Sequence, residues 1–311
     1  MGRLTARIGL AGCGAWGSLV LRDLVSLGCE VHVAAPGETS REAARRAGAR
    51  SVVPAVEDLP AVEGVVVVTP TTTHAEVVEG VLARGVPIFC EKPLTADLAD
   101  AERLATRAAD RLFVMDKWRY HPGIEALAAL ARSGELGPVI GLRTTRVGWT
   151  NTQPDIDTAW HLAPHDLSIA LEVLGHLPVP RAAVAEREEG RITGMTAVLG
   201  GRPWFTFEVS SRRRRSFREA RLFGGDAVAV LPDSYADHVV IQKAGPGAAS
   251  PPELTKRPVS SELPLLRELR AFVEHVRGGP PPRSSVAEAL AVVRTIAELR
   301  RMASRADPGE P

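Results

Sequence analysis

The run Gly12-Cys13-Gly14-Ala15-Trp16-Gly17 stands directly behind an apolar segment at 7–11 and ahead of helical periodicity over 18–27. That context turns a glycine pattern into a structural constraint. Gly12 permits a tight turn after a strand, Gly14 leaves room beside the backbone, and Gly17 lets the helix pack closely on the strand. The free N–H groups and positive dipole end at such a helix start stabilise phosphate charge. Apolar runs at 31–34, 65–69, 87–90 and 112–115 alternate with helical patterns at 74–84 and 98–109. This alternation predicts parallel strands joined by crossover helices in a doubly wound sheet.

After Tyr120 the rhythm changes. A helix at 124–131 precedes segments of two-residue alternation at 140–147, 182–188, 196–199 and 204–210, with Gly200-Gly201 and Gly224-Gly225 as hairpin turns. The Gly, Ala, Ser and Pro content of 243–261 reads as a surface loop, and helical periodicity returns at 263–276 and 286–302. The fold class is therefore α/β. A Rossmann domain over 1–120 is expected to hold a dinucleotide, and a second α/β domain over 121–311 to carry a mostly antiparallel sheet.

The 38 Lys+Arg balance 37 Asp+Glu to a net charge of +1, so no bulk basic field exists to hold nucleic acid or acidic lipid. No apolar run approaches the roughly 18 residues of a membrane helix. Leu10-Ala11-Gly12-Cys13 has the form of a lipoprotein cleavage box, but only Ile8 and Gly9 separate it from Arg7, too few for a signal core. Three scattered cysteines, Cys13, Cys29 and Cys90, fit a reducing cytoplasm.

The second strand ends Val33-Ala34-Ala35-Pro36, with no carboxylate where NAD ribose hydroxyls are normally bound. Glu38 comes late, and Ser40-Arg41 can hold a 2′-phosphate, which tilts an open choice between NAD and NADP toward NADP. As an equal alternative, Arg41 belongs to a solvated helix face.

Three further segments follow in order: Thr69-Pro70-Thr71-Thr72-Thr73-His74, Glu91-Lys92-Pro93, and Trp160-His161-Leu162-Ala163-Pro164-His165-Asp166-Leu167. With the glycine run they resemble the Gfo/Idh/MocA oxidoreductases, the glucose–fructose oxidoreductase and inositol dehydrogenase group. The resemblance implies an NAD(P)-dependent enzyme moving hydride to or from a hydroxyl or keto carbon of a sugar, cyclitol or nucleotide-linked sugar. It puts Lys92 beside nicotinamide and substrate, with a cis Lys92–Pro93 bond. Residues 12–17, Ala35, Arg41, Thr69, Pro70, His74 and Glu91 fall along the cofactor. His165 takes the place of the acid–base histidine, and His161 occupies a position where the family commonly has aspartate. Then either Asp155, Asp157 or Asp166 supplies the missing negative charge, or the chemistry relies on Lys92 and His165 alone, or activity is weakened.

Pro164 suits the first position of a helix running to Leu174, which places His165 in its first turn. A zinc site of His161, His165 and Asp166 is set aside, because the proline should spoil the alignment of the two imidazoles. Trp160 is a substrate-side candidate; Tyr120 and Trp118 line the pocket or pack the domain junction. Arg212 to Arg215, with Arg218 and Arg221, make a basic patch that either solvates a sheet edge or meets a substrate phosphate. The resemblance further implies that the domain over 121–311 binds substrate and forms a homodimer or homotetramer through its sheet. The rival to a dehydrogenase is a dinucleotide-binding regulator or scaffold without turnover.

Overall fold

A computed structural model describes residues 5–149, 155–245 and 251–306. Two compact units comprise Met1–Lys117 with Leu263–Val293, and Trp118–Glu262 with Arg294–Pro311.

The first unit runs β1 (Arg7–Ala11), α1 (Ala15–Ser26), β2 (Glu30–Ala34), α2 (Glu38–Arg46), β3 (Ser51–Val53), β4 (Gly64–Val67), α3 (His74–Leu82), β5 (Ile88–Glu91), α4 (Leu98–Arg107) and β6 (Leu112–Met115). Its six strands are all parallel in the order β3-β2-β1-β4-β5-β6, so the winding reverses between β1 and β4. Ligands bind at the carboxyl ends of strands flanking such a reversal. Edge strand β3 escapes the sequence reading because Ser51-Val52-Val53 is too short to show alternation.

The second unit begins with α5 (Pro122–Ser133), β7 (Val139–Trp149) and α6 (Thr158–Leu174). It continues through β8 (Pro180–Glu188), β9 (Arg191–Gly200), β10 (Trp204–Ser210), β11 (Arg212–Gly224), β12 (Ala227–Leu231), β13 (His238–Lys243) and β14 (Glu253–Pro258). These strands form one sheet ordered β14-β13-β12-β11-β7-β10-β9-β8, antiparallel except for the β7–β10 pair.

Three expectations are corrected. Part of the loop read at 243–261 is strand β14, paired with β13; residues 246–250 lie outside the described residues. Lys256, Arg257 and Pro258 suit an edge strand, which needs only half its backbone groups paired. Helix α6 starts at Thr158, where the Asp157 side chain accepts the Trp160 N–H, and runs through Pro164. The early cap sets the start, and the proline forfeits one internal hydrogen bond without ending the helix.

The third correction concerns the C-terminal segment, assigned whole to the second domain. Residues 263–293 instead return to the first unit, through α7 (Pro264–Val276) and the start of α8 (Val286–Ala306). Leu265, Leu269, Phe272 and Val273 join Ile8, Leu10, Leu21, Val66 and Phe89 in one hydrophobic cluster, with Phe272 stacked on Phe89 at 5.0 Å. Among the described residues no helix is long and apolar enough to cross a membrane. Phe272→Ala should destabilise the protein by about 3–5 kcal/mol in urea unfolding; a loss below about 1 kcal/mol would remove α7 from this core.

Candidate active site

The glycine turn is fixed by space. Gly12 has φ +93°, and a Cβ there would lie 2.8 Å from the Val68 carbonyl oxygen. At Gly17 an added Cβ would lie 2.6 Å from the Gly12 carbonyl oxygen, so helix α1 sits directly on the turn. Gly14 differs. It is exposed, caps α1 in an extended conformation, and a Cβ built on it meets nothing within 4 Å. No side chain caps α1, so its first N–H groups suit the pyrophosphate of a dinucleotide. Around this cradle Cys13 is buried, Ala15 is exposed, and the Lys117 ammonium lies 4.5 Å over the Trp16 ring.

The ends of β4 and β5 are laced together by His74. Its Nδ1 lies 3.0 Å from the Pro93 carbonyl oxygen and its Nε2 2.9 Å from that of Thr69. Both partners only accept, so the protonated ring satisfies both, whereas burial first, and Lys92 in addition, lower the pKa of this imidazole. Fully buried, His74 braces the Thr69-Pro70 turn against the cis Lys92–Pro93 turn and presents no surface of its own.

Lys92 is 7% exposed at the carboxyl end of β5, with Nζ 3.9 Å from a Glu91 carboxylate oxygen. Burial raises the Glu91 pKa, and the ammonium groups of Lys92 and Lys117 oppose the rise. The sequence reading missed the rest of this group: buried Asp116 and half-buried Lys117 follow β6, and Glu268 comes from α7. Glu268 is 1% exposed, and neither of its side-chain oxygens has a hydrogen-bond partner among the described residues. Burial, then the charges of Glu91 and Asp116, push its pKa well up, with Lys117 opposing. An acid within the apolar stripe Leu265, Leu269 and Phe272 was the available signal.

In the second unit α6 carries half-buried His161 and His165 one turn apart on a continuous helix, so Pro164 does not separate them. His165 stands in the second turn. The Trp118 ring meets it edge-on at 6.5 Å and stacks under the Arg146 guanidinium at 4.3 Å. Arg146, another residue missed, donates through Nε to Asp166 at 2.8 Å, both groups being buried. Burial pulls the Arg146 pKa down, and Asp166 opposes it. Asp157 pairs with Arg300, which also lies over the buried Trp160 ring. Two of the three aspartates considered for His165 therefore already face arginines. Tyr120 is buried, 5% exposed.

Strand β11 pairs with β12 only over Ala220–Phe223, and residues 213–216 fall in a register shift against β7, so Arg212 to Arg215 and Arg218 lie where the β12 side of β11 has no paired strand among the described residues. Arg212 pairs with Glu188, Arg213 with Glu186 and Glu208, and Arg221 with Glu219. Among the described residues no group of three metal-ligating side chains occurs.

The buried carboxyl of Glu268 makes a pH test. Above the ordinary glutamate value the unfolded chain ionises it while the folded protein keeps its proton, so stability falls as pH rises. Glu268→Gln should raise the melting temperature by a few degrees near neutral pH and leave it unchanged near about pH 4. Equal melting at both pH values would show that the group titrates normally.

Residues 6–114 match the Gfo/Idh/MocA sequence profile, described as an oxidoreductase family with an NAD-binding Rossmann fold. A myo-inositol dehydrogenase, Hyg17 of Streptomyces leeuwenhoekii, is 34% identical over 143 residues, 44% of this chain and 44% of its own. The UDP-N-acetylglucosamine 3-dehydrogenase GnnA of Acidithiobacillus ferrooxidans is 35% identical over 136 residues, 42% of each chain. These matches span less than half the length of either relative. The solved GnnA structure superposes with a TM-score of 0.84 at 24% identity, covering 97% of this chain and 99% of that one. Levoglucosan dehydrogenase in complex with NADH gives 0.84 at 16% identity over 97% and 98%. The Rossmann half of the chain, residues 6–114, is thus similar to the Gfo/Idh/MocA oxidoreductases.

Proposed function

We propose that this protein is a nicotinamide-dependent dehydrogenase that interconverts a secondary alcohol and a ketone on a cyclitol, a sugar or a nucleotide-linked sugar. The observation that carries the reading is Lys92, an ammonium buried at the carboxyl end of the strand two places from the one that feeds the glycine loop. A bound nicotinamide supplies the hydride acceptor or donor. The first N–H groups of α1 hold the pyrophosphate. Lys92 donates a hydrogen bond to the substrate oxygen and polarises it, while Glu91 balances the ammonium charge. Oxidation would release the carbinol hydrogen as hydride to the nicotinamide and the O–H proton to a base, a part for which the sequence resemblance names His165; reduction would reverse both. The relatives named for inositol and for UDP-N-acetylglucosamine support a polyol or nucleotide sugar as substrate.

The arginine pairing of Asp157 and Asp166, with His161 in the usual acid position, favours the rival reading of a regulator or scaffold that binds dinucleotide without turnover. Free, buried Cys13, Cys29 and Cys90 support a reducing, cytoplasmic setting. Exposed Val184 and Val198 on neighbouring strands of the second sheet support self-association through that face.

Turnover assays on cyclitols, aldoses and nucleotide sugars separate the readings. The dehydrogenase reading predicts activity on at least one class, and a loss of about a hundredfold or more in kcat for Lys92→Met and His165→Asn, with NADH affinity nearly unchanged in the latter. Inactivity across the panel, with NADH bound equally by the wild type and Lys92→Met, would establish the rival. Val184→Glu with Val198→Glu should convert an oligomer to monomer in light scattering; an unchanged mass would move the interface elsewhere.

A further inference from the structure

Ala35-Pro36 carries the chain from β2 to α2, where sheets of this kind hold the adenosine ribose of a dinucleotide. Position 35 offers no carboxylate, but Glu38, the first residue of α2, turns its own into the local hydrogen-bond network. It accepts from Arg41 Nε at 3.0 Å, from Arg41 Nη2, and from Arg45 Nη1 at 2.9 Å. Arg41 Nη1 in turn donates to the carbonyl oxygens of Ala35 at 2.9 Å and Pro36 at 2.6 Å. Four of the five N–H donors of that guanidinium are thus engaged, and although it lies at the surface its side chain is only 17% exposed. Hydrogen bonds from Arg45 and then Arg41 hold the Glu38 carboxyl below the usual range, so it is ionised at neutral pH. The other arginine of the helix, Arg46, faces Glu42 at 3.8 Å.

We infer that Glu38 sets the cofactor choice of this protein, an inference that rests on the dinucleotide reading: by holding Arg41 it denies a 2′-phosphate its partner, and NAD(H) is bound in preference to NADP(H). A phosphate at the ribose 2′ position carries close to two negative charges near neutral pH, so beside ionised Glu38 it meets repulsion as well as a neutralised guanidinium. A ribose hydroxyl carries no charge and meets neither penalty. Ser40-Arg41, read alone, points toward NADP; the Glu38 contact one helical turn earlier reverses that lean.

Titration of the full-length protein with NADH and with NADPH, followed by nicotinamide fluorescence, tests the inference without any substrate. The wild type should bind NADH at least about tenfold more tightly than NADPH. Glu38→Gln and Glu38→Ala should each strengthen NADPH binding by about tenfold while changing NADH binding by less than about threefold, and adding Arg41→Ala should remove the gain. Circular dichroism melting checks that these surface variants stay folded. NADPH preferred by the wild type, or an unchanged ratio in both Glu38 variants, would overturn the inference and leave the dehydrogenase reading standing. Binding of neither dinucleotide would overturn both.

Discussion

The close seat of helix α1 on the turn after β1 governs what the first unit can do. Because neither Gly12 nor Gly17 has a side chain, the helix start comes within contact of the Gly12 carbonyl and its free N–H groups emerge at the carboxyl edge of the sheet. A methyl group at either place would meet backbone atoms, which cannot yield as a flexible side chain can. The exposed helix start is therefore a by-product of packing. The winding reversal between β1 and β4 lies beside it, and β5, the neighbour of β4, runs into Lys92.

That arrangement places charge where burial disfavours it. Glu91, Lys92, Asp116, Lys117 and Glu268 occupy one region of the first unit, and a carboxyl with neither oxygen hydrogen-bonded within the described residues is destabilising unless it stays protonated. The return of α7 is the structural price, since its apolar stripe completes the core against Phe89 while its Glu268 closes the charged group from behind. His74 serves the same region by tying two strand-end turns together through their carbonyls. The second unit follows a comparable plan, with Arg146 and Asp166 buried as a pair and the Arg146 guanidinium over the Trp118 ring that meets His165.

Local patterns were readable because local chemistry decides them. The glycine turn, the parallel strands, the Gly200 and Gly224 turns and the Glu91-Lys92-Pro93 corner all follow from short stretches of sequence. Contacts between distant segments were not. Nothing near Phe272 says that it stacks on Phe89, and nothing near Asp166 names Arg146 as its partner. Pro164 misled because the capping signal of Asp157 lay seven residues earlier and prevailed. Strand β14 was hidden by the Gly, Ala, Ser and Pro content around it. The Glu38–Arg41 pair, three residues apart on one helix, was legible in principle from its spacing, whereas the carbonyl oxygens that take the other side of the guanidinium carry no signal in side-chain identity.

The most direct test of the cradle uses Gly14, where backbone shape and protein contacts both tolerate a side chain and only a ligand would object. NADH affinity and melting temperature measured on Gly14→Val decide it. If the pyrophosphate packs against that backbone, melting should stay within about 2 °C of wild type while NADH binding weakens at least about tenfold. Wild-type affinity in a folded Gly14→Val protein would contradict the account, because the dinucleotide would then lie somewhere other than the start of α1.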